Sequence, residues 1–501
     1  RGRPSTPGRR PSRGVGMAGG QADHDPSDPR RWQALSVCLA AGFMALLDVS
    51  IVNVALPSIQ EGLRAREADL QWVVSGYALA FGLVLVTAGR FGDAHGRRPV
   101  FVAGVAGFTV ASAAAGVAPT ASLLVAARLA QPKRPFLHAP ALAQGVAGGV
   151  LMPQVSGLIQ QLFRGSERGR AFGLLGTVIG LSTAVGPTLG GILIFLGGVE
   201  HGWRFVFFVN LPVGVLTIVL ALRLLPPPPR DRRRERLDPV GVVLLGAGVL
   251  LLLLPLVEER QWRSAAKWLL IPLGVALLAA FYAWERRYAR TGEPVVDPAL
   301  FRRRSFAMGA VIGSLYFAGF TAIFFIFSLY LQLGLGYSAL ASGLSVTPFA
   351  IGSATAAAIG GRYVSRLGRP LVAGGLVLVG IGVTSAMIAV ALVPGRGVGW
   401  ATALPLLVAG VGSGLVVTPN VTLTLSEVPV RQAGSAGGVL QTSQRLGAAV
   451  GIAAVGSTFF ATLAASEGDW SLAYRLGLLV TLGFVVVSLA VTYLDIRANR
   501  R

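Results

Sequence analysis

Apolar runs of about 20 residues, the length that crosses a bilayer as a helix, follow one another down this 501-residue chain. Short stretches rich in Arg, Gly and Pro separate them. The runs predict helical spans at 34–56, from Gln71 to just before Gly89, 99–117, a fourth that is interrupted, a fifth holding Gly186–Gly191, and a sixth opening at Trp203. Two more follow at 240–257 and 267–284, and six at 306–333, 339–359, 370–393, 400–418, 436–464 and 472–494. The expectation is an all-α polytopic membrane protein of about fourteen spans. Its parts are a disordered basic tail 1–33, a six-helix half 34–225, basic linkers with two additional spans 226–305, a second six-helix half 306–494 and a short tail 495–501.

Composition fixes the solvent. Hydrophobic residues make up 53% of the chain and charged residues 13%, with a mean hydropathy of +0.65, too apolar for a soluble domain. The net charge of +22 suggests nucleic acid, but the basic residues fall in short loops between apolar runs, as positive-inside topology requires. No nucleic-acid partner is expected. Arg97, Arg168, Arg234, Arg303, Arg369, Arg431 and Arg497 share the side of the termini, whereas Glu61, Glu258, Glu467 and Asp469 face the other. Both termini are therefore expected in the cytoplasm, with the protein in the plasma membrane. The first apolar run is too long for a cleavable signal. Met17 is a candidate start, with the preceding Arg/Pro/Gly run as an upstream extension. A single cysteine, Cys38, excludes a disulfide framework and a cysteine metal site.

Against this background a few polar residues stand out. Asp48 sits more than halfway along the first span, where a carboxylate is costly and marks a functional site by default. It is a candidate to bind and release a proton; a polar packing role is the alternative. Between the second and third spans lies Gly89-Arg90-Phe91-Gly92-Asp93-Ala94-His95-Gly96-Arg97-Arg98-Pro99. Its glycines permit a tight hairpin, Asp93 suits a helix N-terminus, and Arg97 and Arg98 hold the loop on the cytoplasmic side. Gly361 through Arg369 repeat this loop faintly, with Ser365 in the place of Asp93, which argues for two related halves. Gly186 and Gly190 form a G-x-x-x-G face beside Pro187 and Gly191, suited to close helix approach with a bend. Asn53, Gln71, Tyr77, Gln441 and Arg445 are candidate cavity residues; Arg445 could also snorkel to the cytoplasmic interface.

Together these strings resemble the major facilitator superfamily, in particular its 14-helix drug:proton antiporter branch. The match runs from about Arg31 to Arg497. It rests on Leu47–Pro57 in the first span, the Gly89–Pro99 loop, Gly186–Gly191 and Trp203–Gly214. The resemblance implies two six-helix halves with an additional central pair, a latch formed by Gly89, Asp93, Gly96, Arg97 and Arg98, and an antiporter motif in Gly186, Pro187, Gly190 and Gly191. It also implies a buried arginine on the fourth helix at Arg128, working with Asp48 in proton coupling. There the sequence departs from the family. Arg128-Leu129-Ala130-Gln131 is followed by residues 132–144, with three prolines and two cations that cannot lie in a lipid-facing helix. The insert is expected to bulge out, and its deletion would restore the pattern. A span 139–163, with Ala141 in the place of Arg128, is the alternative.

No Walker A loop, H-E-x-x-H, G-x-S-x-G or Cys/His cluster is present, so neither an ATP-driven pump nor a membrane hydrolase is indicated. The expected function is not enzymatic: proton-coupled efflux of a small lipophilic or cationic drug or antibiotic. It needs no cofactor or metal, only a proton gradient and the bilayer. Metabolite uptake is the rival within transport. A non-transporting sensor or scaffold, or an inactive transporter, is the rival outside it.

Overall fold

A computed structural model describes residues 30–64, 67–119, 143–228, 238–257, 262 and 264–499. Arg128 and most of the 132–144 insert lie outside the described residues, as do the 1–29 tail and the Arg-rich 229–237 stretch. Without water in hydrocarbon, backbone polar groups must pair within each segment, and helices satisfy that requirement. The chain accordingly folds into α1 (Arg30–Leu63), α2 (Glu67–His95), α3 (Arg97–Gly116), α4 (Ala143–Leu162), α5 (Gly165–Phe208), α6 (Asn210–Leu224) and α7 (Pro239–Val257). It continues as α8 (Leu270–Tyr288), α9 (Arg304–Leu329), α10 (Ala339–Leu367), α11 (Arg369–Leu392), α12 (Ala403–Thr424), α13 (Ala433–Ala465) and α14 (Trp470–Asn499).

Eleven helices among the described residues are long and apolar enough to cross a membrane. A twelfth is the bent pair Gly165–Thr183 and Thr188–Gly198, whose halves meet at 41°. That bend falls where Pro187 removes a backbone donor. At Gly198, φ is +73° and the chain reverses, so that the rest of α5 runs on toward α6. Beyond these twelve, α2 and α4 are also packed into the bundle. A total of fourteen passes is compatible with this set.

Packing divides the bundle into two halves of matching plan. In the N-terminal half α1 packs on α5, α2 on α4, and α3 on α4 and α6. In the C-terminal half α9 packs on α13, α10 on α12, and α11 on α12 and α14. The halves are joined by α2 with α13 and α5 with α10, and also by α4 with α13 and α5 with α12, pairs that correspond under the same exchange. The additional helices α7 and α8 pack on each other, and α7 leans on α2 and α13. One apolar core lies within the C-terminal half, and another runs from the N-terminal half through α7 and α8 to Phe306, Ala310, Ala436 and Leu440.

Candidate functional site

Asp48 lies fully buried in α1. Its Oδ1 accepts hydrogen bonds from Gln144 Nε2 of α4 at 2.8 Å and from Asn210 Nδ2 of α6 at 3.1 Å. Both amides also donate to Ser112 Oγ of α3, at 2.8 and 3.3 Å. Four helices thus meet at one carboxylate. The antiporter-motif glycines press α5 onto α1 one turn away. A Cβ on Gly186 would stand 2.5 Å from Ser50 Cβ, and one on Gly190 3.0 Å from Ile51 Cγ1. Ser50 Oγ in turn donates to the Thr183 carbonyl at 3.3 Å. Gly191 points elsewhere, its nearest neighbour being Leu340 of α10, in the other half, at 4.0 Å from the Cβ it lacks. Asn53, Gln71 and Pro187 belong to helices, but their side chains lie outside the described residues.

Gln144 corrects the boundary of the insert. The sequence reading ends the excluded stretch at 144, whereas the structure has Gln144 inside α4 and buried against Asp48. The physical reason is that α4 starts at Ala143, past Pro140, the last proline of the insert. Sequence reasoning missed Gln144, Ser112 and Asn210 as partners of Asp48. Their signal was weak: an uncharged polar residue within an apolar run.

The latch residues assemble at the end of the bundle where α1 begins and α14 ends. Asp93 and Arg97 form a buried ion pair of 2.7 Å. The carboxylate crosses to the other half and caps the start of α13. Its Oδ1 accepts from Gly434 N at 3.0 Å, and its Oδ2 from Ser435 N at 2.8 Å and Ser435 Oγ at 3.2 Å. First-turn amides have no partner within their own helix and carry the positive end of its dipole, so an anion is favoured there. Arg97 also donates to Gln161 Oε1 at 3.0 Å and to the Val430 carbonyl. Arg98 donates to the Leu222 carbonyl at the end of α6. Gly89 is needed for the approach itself: a Cβ there would lie 2.2 Å from the Gly434 carbonyl oxygen. Gly96 joins α2 to α3 at φ +103°, a conformation that glycine adopts without strain.

Around this contact a wider seal closes. Glu293, from the segment after α8, takes Arg90 of α2 at 2.7 Å and Arg431, just before α13, at 3.3 Å. Between α5 and the turn that follows α12, Arg168 donates to the Ser426 carbonyl at 3.2 Å. The second copy of the latch works differently. Ser365 is exposed. Arg369 pairs with Asp495 of α14 at 3.0 Å and donates to Asn420 Oδ1 at 2.5 Å, all within the C-terminal half.

Tyr77, buried in α2, lies beside Phe81 with ring centroids 5.9 Å apart. Arg445 of α13 stacks its guanidinium on Phe81, 4.6 Å from the ring centroid. Gln441 is half-buried one turn nearer the seal. Arg445 is thus held by an aromatic ring near the middle of the 433–465 helix, away from the interface to which it could have snorkelled.

Over residues 38–452 the chain matches the Major Facilitator Superfamily. It is 37% identical over 448 residues to the probable actinorhodin transporter of Streptomyces coelicolor, covering 89% of this chain and 75% of that relative. It is 33% identical over 432 residues to the tetracenomycin C resistance and export protein of Streptomyces glaucescens, covering 85% and 76%. Among solved structures, that of the human organic anion transporter MFSD10 superposes with a TM-score of 0.65 at 16% identity, over 93% of this chain and 100% of that one; at that identity the likeness bears on fold alone. Sequence, paired halves and superposition agree, and the chain is a multi-pass membrane protein of the Major Facilitator Superfamily.

Proposed function

We propose that the protein exports lipophilic drugs or antibiotics across the cytoplasmic membrane in exchange for protons, by alternating access of a site between its two halves. Relatives named as a probable actinorhodin transporter and a tetracenomycin C resistance and export protein support the class of cargo, and the second also the direction. In this reading the sealed end, rich in arginine, faces the cytoplasm.

The observation that carries the proton coupling is the position of Asp48. An aspartate at a helix centre costs about 2.5–3.5 kcal/mol on insertion scales. A hydrogen bond to a charged group returns about 1.5–3 kcal/mol. Two such bonds, from the Gln144 and Asn210 amides, are of the same order as the cost of the anion. Ionised and protonated Asp48 favour different arrangements of α1, α3, α4 and α6, so protonation is coupled to the two-state cycle. Arg128 is part of this reading by its place in the family pattern.

The test is efflux from cells or vesicles with and without an uncoupler, for the parent chain and for Asp48→Asn at equal membrane abundance. The parent should extrude in an uncoupler-sensitive manner, and the variant should lose extrusion against a gradient. A variant that still extrudes uphill would remove Asp48 from the coupling.

A further inference from the structure

On α13, Gly434, Gly438, Gln441 and Arg445 recur at spacings of four, three and four, and so share one helix face. That face meets α2: Gly434 lies on Gly89, Gly438 on Leu85 and Arg445 on Phe81. The exposed residues Val450, Ser457 and Ala461 occupy the opposite side. Arg445 therefore points inward, between the halves, and stands about 17 Å along α13 from Gly434 at 1.5 Å per residue. It lies above the seal and near the middle of the membrane.

Among the described residues this guanidinium makes no ion pair; it stacks on the face of Phe81 and has the Tyr77 hydroxyl as an electrostatic neighbour. The residue is half-buried between the halves. A cation at this depth is expensive and ordinarily finds an acidic or carbonyl partner. The other deep arginines do so: Arg97 has Asp93 and Arg369 has Asp495. A ring stabilises the flat face of a guanidinium but leaves its edge donors, which match a carboxylate in a bidentate fork, unused.

We infer that Arg445, backed by Phe81 and flanked by Gln441, is the recognition point for an acidic group on the cargo, so that the exported compounds are lipophilic organic acids. This rests on the export reading above and narrows its substrate class away from cations. Phe81 belongs to α2 and Arg445 to α13, so the site is assembled from both halves. Their separation would take it apart, linking release of the acid to the change of state.

The test uses naphthoate and methyl naphthoate, which share an aromatic body and differ in charge. Binding to the purified full chain in nanodiscs is measured for the parent, Arg445→Gln and Arg445→Lys, alongside uncoupler-sensitive transport. The parent should bind the acid at least about tenfold more tightly than the ester, the scale of a charge-assisted pair. Arg445→Gln should lose that preference while still binding the ester, which shows the site to be folded. Arg445→Lys should keep part of it. Equal binding of acid and ester by the parent, or an acid preference intact in Arg445→Gln, overturns the inference. Uncoupler-sensitive extrusion of neutral or cationic lipophiles together with equal binding would sink the inference and leave export standing. Arg445-dependent acid binding without extrusion of any compound would sink export and leave only the acid-recognition role of Arg445 standing.

Discussion

Asp93 satisfies four donors from one buried carboxylate, three of them in the opposite half. Asp93→Ala would leave Arg97 buried with only Gln161 and the Val430 carbonyl, and would uncap α13. Removing one partner of a buried ion pair costs about 3–5 kcal/mol, so the unfolding midpoint of the variant in detergent should fall clearly below that of the parent. An unchanged midpoint would mean that the pair contributes little to the sealed state. Both Asp48 and Asp93 are legible in the sequence because a carboxylate in or beside an apolar run is conspicuous. The residues that hold them are not. Gln144, Ser112, Asn210 and Ser435 are unremarkable in their own segments and gain meaning only when four helices, or two halves, converge.

The segment between α3 and α4 holds most of the 132–144 insert. Deleting 132–144 joins Gln131 to Gly145, so Gln131 takes the place of Gln144 and Arg128 falls three residues before it. The amide that meets Asp48 is thereby kept, and an arginine is carried one turn along the same helix. Transport by the deletion variant should equal or exceed that of the parent, measured as the initial efflux rate per protein in the membrane. A loss would show that the insert is integral to the working protein. Other elements read more directly. Spans of unbroken apolar sequence such as 240–257 and 370–393 appear within a residue or so of α7 and α11, because hydrocarbon admits little besides helix there. The bend of α5 and its reversal at Gly198 are harder to read, since Gly and Pro permit several geometries and neighbouring helices select among them.

At the scale of the molecule, the two halves follow one packing plan, yet their seals are unlike. At α2–α13 a carboxylate crosses the boundary to cap a helix. On α10 the corresponding Ser365 is exposed, and a crossing is made instead from α5, by Arg168 to the Ser426 carbonyl just after α12. The faint second copy of the latch shows this asymmetry in the sequence; Glu293, which bridges Arg90 and Arg431 from outside both halves, leaves no such mark. If transport works by alternating access, this end must open once per cycle. Cys38 is the only cysteine and is buried, so a Cys38→Ala background makes a clean host for Arg168→Cys with Ser426→Cys. Neither position belongs to the Asp48 or Arg445 sites, and the double variant should transport before treatment. A short reducible bis-thiosulfonate spanning the pair should stop efflux, and a reductant should restore it. Efflux that continues with the halves tethered there would place the moving boundary elsewhere in the bundle.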